Sequence, residues 1–221
     1  MDNCYIIKII AADIETFDPK PRCQKNAIVA LSKALSWLLR HGAVKEDLIV
    51  RRDGFIFLDE VLVHKKIRKY NANISDIKNI VKTSDKQRFA MGVDNEGDMW
   101  IRANQGHSFP VPDLQLKTIN NILDLPNGIA VHGTYKKAWE IIKSKGLSKM
   151  KREHIHMAIG LPDEGVISGM RKTVQVLIYI DVEKCLEAGI PLFLSTNGVI
   201  LSPGNNNGII PPELFLKVDI K

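Results

Sequence analysis

Apolar positions recur at Ile28, Leu31, Leu35, Leu38 and Leu39, the spacing of one buried helical face, and predict a helix over 27–40. Gly42 follows and is expected as its C-terminal cap, which sets Arg40 and His41 in the last turn or just past it. Arg52-Asp53-Gly54-Phe55 is a turn signal opening a short strand over 55–58. Two further helices are predicted over 59–66 and 75–83, the second capped by Ser75. Segments 88–93 and 99–103 then flank the acidic, glycine-containing turn 94–98 and predict a hairpin. Short helices closing on a hairpin describe a winged-helix-like unit, a geometry that serves nucleic-acid binding and plain protein interaction alike.

The second half changes character. Strands are predicted over 129–134, 155–159, 174–180, 192–195 and 199–201, with helices over 136–145 and 182–188 stopped by Gly146 and Gly189. Many short strands with few helices imply an α+β domain on a split or curved antiparallel sheet. Residues 1–26 read as an N-terminal extension, with Asp18-Pro19-Lys20-Pro21 as extended linker. A first domain over 27–112, a linker over 113–127 and a second domain over 128–221 complete the division.

The chain has 221 residues, 45% of them apolar, enough for a packed core and too many for general disorder. No run approaches eighteen apolar residues, so a transmembrane helix is not expected. The short apolar start, interrupted by Lys8 and lacking a basic region before it, is a poor signal peptide. Cys4, Cys23 and Cys185 are odd in number and widely spaced, which fits neither a disulfide framework nor a zinc pattern. The expected location is intracellular, in cytoplasm or nucleus. The formal charge is +6. Residues 64–88 carry eight basic and two acidic side chains, an excess equal to that of the whole chain, read either as a solvated helical face or as a nucleic-acid surface.

No phosphate-binding glycine loop and no His-Glu-x-x-His occurs. His154-x-His156 is a weak pair for a metal, and none is expected. What remains are loops rich in donors and nearly free of carboxylate: Arg40-His41, Arg102 to Ser108, His132-Gly133-Thr134, and Arg171 after Ser168-Gly169. Such loops suit an anionic ligand, since arginine offers planar forks to phosphate oxygens. Taken singly, each arginine reads equally as a surface residue and each histidine as a structural one.

Together, LSKALSWLLRHG (31–42), DGFIFLDEVL (53–62), KQRFAM (86–91), IRANQGHS (101–108), VHGT (131–134), HIHMA (154–158), GVISGMR (165–171) and NGVILSPG (197–204) resemble the RNA 2′-phosphotransferase family of the KptA type. The resemblance runs in order from about residue 31 to the C-terminus. It implies an N-terminal winged-helix RNA lobe followed by an ADP-ribosyltransferase-like split-sheet NAD lobe. It also implies a reaction in which an internal RNA 2′-phosphate, as at a ligated tRNA splice junction, is ADP-ribosylated at the expense of NAD⁺. The product of a second step is ADP-ribose 1″,2″-cyclic phosphate.

Carried over by motif, Arg40, His41, Arg102 and Arg171 are the catalytic group, the arginines gripping phosphate and His41 contacting it or moving a proton. Lys33, Asn104, Gln105, His107 and Ser108 are expected against RNA phosphate. His132, Gly133, Thr134, His156, Ser195 and Asn197 are expected in the NAD cleft, though Ser195, Asn197 and Ser202 read equally as turn residues. Val199 stands where protein-modifying ADP-ribosyltransferases often carry Glu, and a phosphate nucleophile needs no carboxylate to activate it. Trp100 is read as core. The expected partner is RNA, without membrane or metal, and the expected state is a monomer. Two alternatives remain open: an ADP-ribosyltransferase that caps terminal phosphates of RNA or DNA, and a non-catalytic RNA-binding module.

Overall fold

Two units, divided after Leu114, each carry a sheet and a hydrophobic core of their own. The structure is a computed structural model that describes residues 7–9, 25–161, 170–171 and 173–221. Cys4, Cys23, the Asp18–Pro21 linker and Gly165 to Gly169 of the GVISGMR segment lie outside the described residues.

The first unit begins with β1 (Lys8–Ile9), a strand inside the segment expected as an appendage. Helix α1 (Lys25–Trp37) buries Leu31 and Leu35 and runs into a π-helical turn, Leu38–Gly42, closed by the Ala43 amide on the Leu38 carbonyl at 2.8 Å. The expected C-terminal cap at Gly42 is therefore corrected. Gly42 lies inside the wider turn, the chain leaves it right-handed through Ala43 (φ −51°), and the left-handed residue comes later, at Asp47 (φ 56°). Apolar periodicity cannot distinguish a π turn from an α turn, because both leave the leucines facing inward.

β2 (Ile56–Phe57) leads into α2 (Leu58–Val63) and α3 (Lys65–Arg68). The one helix predicted over 59–66 is thus two, broken at His64 (ψ 135°), whose Nδ1 accepts the Lys66 amide at 3.3 Å. α4 (Ile74–Thr83) is capped by Asn73 rather than Ser75: Asn73 Oδ1 takes the Asp76 amide, and Asp76 Oδ2 takes the Asn73 amide, both at 3.0 Å. Two reciprocal bonds satisfy more of the open helix end than one serine hydroxyl would. β3 (Phe89–Val93) and β4 (Met99–Ala103) form the predicted hairpin within a four-stranded antiparallel sheet of order β1-β3-β4-β2. Asp94 organises its turn, accepting the Asp98 and Glu96 amides and Trp100 Nε1 at 2.9–3.0 Å.

The second unit opens with β5 (Leu116–Ile119), inside the segment expected as linker and paired along its length with β10 (Leu192–Ser195). Between them come β6 (Val131–Thr134), α5 (Lys136–Lys145), β7 (Leu147–Ser148), β8 (Ile155–Ala158), β9 (Val176–Ile180) and α6 (Val182–Glu187). β11 (Val199–Ser202), β12 (Ile209–Ile210) and β13 (Phe215–Ile220) complete it. Seven strands form one antiparallel sheet of order β13-β9-β6-β8-β11-β10-β5, and β7 pairs with β12 apart from it. The architecture is α+β.

Both faces of the large sheet are covered, which explains why all of β9 is buried. Val176, Ile178 and Ile180 enter the main core with Met157, Leu192 and Ile200, while Leu177 and Tyr179 pack with Val131, Ala158 and Val174 on the other side. The strands β6 and β8 share a single register pair, Val131↔Ala158. Among the described residues, no helix is long and apolar enough to cross a membrane.

Candidate active site

In the first unit, the π turn displays Arg40 and His41 in sequence, and β4 packs beside that turn. His41 Nδ1 lies 3.1 Å from Ser108 Oγ, and the Arg40 carbonyl accepts the Ser108 amide at 2.9 Å. Gly106 (φ +90°) bends the loop after β4. A Cβ there would stand 3.4 Å from Arg40 Nε, so the loop backbone lies directly against that side chain.

Arg102, on β4, is only 1% exposed. Its Nη1 donates to the Asp53 carbonyl at 3.0 Å, and its guanidinium stands 4.7 Å from the centre of the Phe55 ring. Burial weakens its charged form and the neighbouring Asp53 carboxylate opposes that effect. Asp53 is itself tied to Arg51 at 3.1 Å. Gln105 and His107 are buried, and the His107 ring meets Phe109 edge-on at 5.4 Å. Asn104 Nδ2 donates to the Gln87 carbonyl at 2.7 Å, anchoring the loop that precedes β3.

Lys33 is exposed on α1 and borders a groove with Trp37, Lys66, Lys69 and Tyr70. Lys66 Nζ stands 4.2 Å above the Trp37 ring, and Lys69 Nζ stands 5.0 Å from the Tyr70 ring centre. Trp100 is half-buried, 5.5 Å from the Phe57 ring and 5.3 Å below the Arg51 guanidinium.

In the second unit, the His132 side chain sits where β6 and β8 cease to pair. Its Nδ1 donates to the His156 carbonyl at 2.8 Å, so Nδ1 carries the hydrogen and Nε2 is the accepting nitrogen. Burial holds its pKa below the ordinary histidine value, against the His156 carbonyl and together with Arg152. Gly133 lies against Met170 and Val174, with room for no side chain: a Cβ would meet Met170 Sδ at 2.4 Å. Thr134 is buried beside it and accepts the Gln175 amide at its carbonyl. His156 is half-buried on β8, opposite Leu201.

Arg171 is exposed. The Tyr135 hydroxyl lies 2.9 Å from Thr173 Oγ1, and hydrogen bonds from Thr173 and then Arg171 hold the phenol below its usual pKa. Tyr135 was not among the expected residues, and its position beside His132-Gly133-Thr134 was the available signal. Phe55 was missed for a different reason: nothing in a turn sequence shows that an aromatic ring will lie under an arginine from another strand.

Ser195 and Asn197 are buried in the turn between β10 and β11. Ser195 Oγ accepts the Val199 amide at 3.0 Å, and its one hydrogen has two acceptors in reach, the Val199 carbonyl at 2.8 Å and Asn197 Oδ1 at 2.9 Å. Ser202 Oγ donates to the Pro191 carbonyl at 2.9 Å. Val199 is buried opposite Ala158. The Cys185 thiol is pushed up to about 12 by burial, which keeps it protonated. His154 meets Phe193 edge-on, and no group of three or more His, Cys, Asp or Glu among the described residues is placed to hold a metal ion.

The family model described as RNA 2′-phosphotransferase, Tpt1 / KptA family, matches residues 26–204. The chain is similar to tRNA 2′-phosphotransferase 1 of Danio rerio, with 48% identity over 197 residues that cover 88% of this chain and 86% of the relative. Its identity to tRNA 2′-phosphotransferase 1 of Homo sapiens is 46% over 89% of this chain and 77% of the relative. With tRNA 2′-phosphotransferase of Saccharomyces cerevisiae it is 42%, over 87% and 84%. The matched span takes in most of both units and includes Arg40, His41, Arg102 and Arg171, and the chain belongs to the RNA 2′-phosphotransferase, Tpt1 / KptA family.

Proposed function

We propose that this protein removes an internal RNA 2′-phosphate, such as the one at a ligated tRNA splice junction, with NAD⁺ as co-substrate. The observation that carries the reading is the family match across residues 26–204, together with identities of 42–48% to proteins named tRNA 2′-phosphotransferase. The first unit is read as a winged-helix-like RNA lobe and the second as an ADP-ribosyltransferase-like NAD lobe. One chain carries every assigned residue, and we read it as a monomer.

NAD⁺ supplies an anomeric carbon bearing nicotinamide as leaving group. A 2′-phosphate oxygen displaces nicotinamide there, and the ribose 2″-hydroxyl then attacks phosphorus, releasing RNA with a 2′-hydroxyl and ADP-ribose 1″,2″-cyclic phosphate. The residues of the second unit fit the dinucleotide. His132 is held as the Nδ1–H tautomer, so its Nε2 accepts a hydrogen bond from a ribose hydroxyl without carrying charge. Gly133 and Thr134 lie beside it on β6, and His156 on β8; with Ser195 and Asn197 of the following turn they complete the assignment.

Arg40, Arg102 and Arg171 are assigned to the 2′-phosphate and to the negative charge that builds on phosphorus in the second step. A guanidinium buried like that of Arg102 is costly to keep charged, and a phosphate dianion offsets that cost better than a neutral ligand. His41 is assigned the proton that moves in the second step. Lys33, Asn104, Gln105 and His107 are assigned to the RNA strand, directly or by shaping the loop that meets it.

The test is product analysis with NAD⁺ and an RNA bearing one internal 2′-phosphate. Nicotinamide, ADP-ribose cyclic phosphate and dephosphorylated RNA are expected. A stable ADP-ribosylated RNA as sole product replaces this reading with a one-step transferase, and RNA binding with no consumption of NAD⁺ replaces it with a binding module.

A further inference from the structure

Ser108 stands 67 residues from His41 in sequence, yet touches both members of the Arg40-His41 pair. Its amide donates to the Arg40 carbonyl at 2.9 Å. Its Oγ lies 3.3 Å from the same carbonyl oxygen and 3.1 Å from His41 Nδ1. The single hydroxyl hydrogen has two acceptors in reach, the Arg40 carbonyl and Nδ1; a carbonyl can only accept, and with the hydrogen given to it an oxygen lone pair faces the ring. Nδ1 must then carry a hydrogen, and Nε2 is the basic nitrogen of the neutral ring. We propose that Ser108 is a positioning residue: its hydroxyl selects the Nδ1–H tautomer of His41, fixes the ring plane and so presents Nε2 to the phosphate.

This rests on the reading of His41 as the proton-transfer group, and it moves Ser108 from the residues expected against RNA to a partner of His41. The hydroxyl adds something that packing does not. The amide bond to Arg40 already ties the loop to the turn, and an alanine at 108 would keep that bond. What an alanine removes is the hydroxyl contact with Nδ1.

The experiment compares Ser108→Ala, Ser108→Thr, His41→Ala and the Ser108→Ala/His41→Ala double variant by single-turnover removal of an RNA 2′-phosphate. Ring-nitrogen NMR of His41 is recorded for the two Ser108 variants. Ser108→Ala is expected to slow the reaction about ten- to hundredfold, by analogy with the loss when the hydrogen-bond partner that orients a metal-ligating histidine is removed. Ser108→Thr restores most of the rate, the double variant is no slower than His41→Ala alone, and Ser108→Ala mixes the two neutral tautomers. Should the alanine variant not fold, Ser108→Cys, similar in size and a weak donor, reads the same loss. Wild-type rate and an unchanged Nδ1–H signal in Ser108→Ala, with His41→Ala slow, overturn the inference and leave the role of His41 standing. A double variant much slower than His41→Ala also overturns it, because Ser108 then acts directly on RNA. A fully active His41→Ala overturns the reading beneath it.

Discussion

Trp37 occupies the space a side chain at Gly42 would need: a Cβ there would stand 2.3 Å from Trp37 Cζ3 and 2.6 Å from Cη2. The ring and the glycine bracket the π turn that carries Arg40 and His41, with Lys66 on the ring at 4.2 Å. Gly42→Ala must displace the indole or reshape the turn. The expected cost is about 1–3 kcal/mol, the range for overpacking a filled site. Denaturant unfolding measures the loss, and catalysis is expected to fall with it because the displaced residues are those assigned to phosphate. Trp37→Leu in the same background should recover stability.

His132 titrates below the ordinary histidine value, mainly through burial. Its folded pKa is depressed, so the fold favours the neutral ring. The stability it contributes is complete above the unfolded value of about 6.5 and is lost as pH falls through the folded pKa. An NMR titration should place the His132 midpoint below about 6.5, with Nδ1 protonated at neutral pH. A midpoint at or above that value contradicts the assignment of Nε2 as a neutral acceptor.

Arg171 is exposed, so its removal leaves no cavity. Arg171→Ala is expected to lower the dephosphorylation rate by on the order of 10³, as loss of a phosphate-gripping arginine does elsewhere, with an unchanged melting temperature. Arg171→Lys should recover little, because an ammonium cannot reproduce the planar fork. Rate assays beside thermal melts check both.

Lys66 and Lys69 border a groove whose described lining carries no carboxylate. Converting both to Gln should weaken RNA binding uniformly across sequences and reduce the salt slope by about one for each phosphate no longer neutralised. Binding titrations at several salt concentrations measure that slope. An unchanged slope returns these lysines to a solvated face.

Ser195 Oγ accepts the Val199 amide and donates within the turn between β10 and β11, and the residue is 4% exposed. Ser195→Ala strands the Val199 amide and is expected to cost about 1–3 kcal/mol, read as a shifted denaturation midpoint. If NAD⁺ affinity falls while the midpoint holds, Ser195 belongs to the cleft rather than the turn.

Helical spacing at Leu31, Leu35, Leu38 and Leu39, the turn at 94–98 and the glycine stop at 146 were enough to lay out most elements, because each depends on neighbours within a few residues. The ordered motif strings were enough to identify the family, whose match covers residues 26–204. Edge strands were harder: Leu116–Ile119 and Lys8–Ile9 are short, and only their partners β10 and β3 make them strands. The π turn, the break at His64 and the burial of Arg102 over Phe55 were also invisible along the chain. So was the bond from Ser108 back to His41 across 67 residues. Each of these depends on a distant side chain or backbone group whose position exists only after the chain has closed on itself, and a hydrogen bond or a steric limit acts over a few ångströms of space, not of sequence.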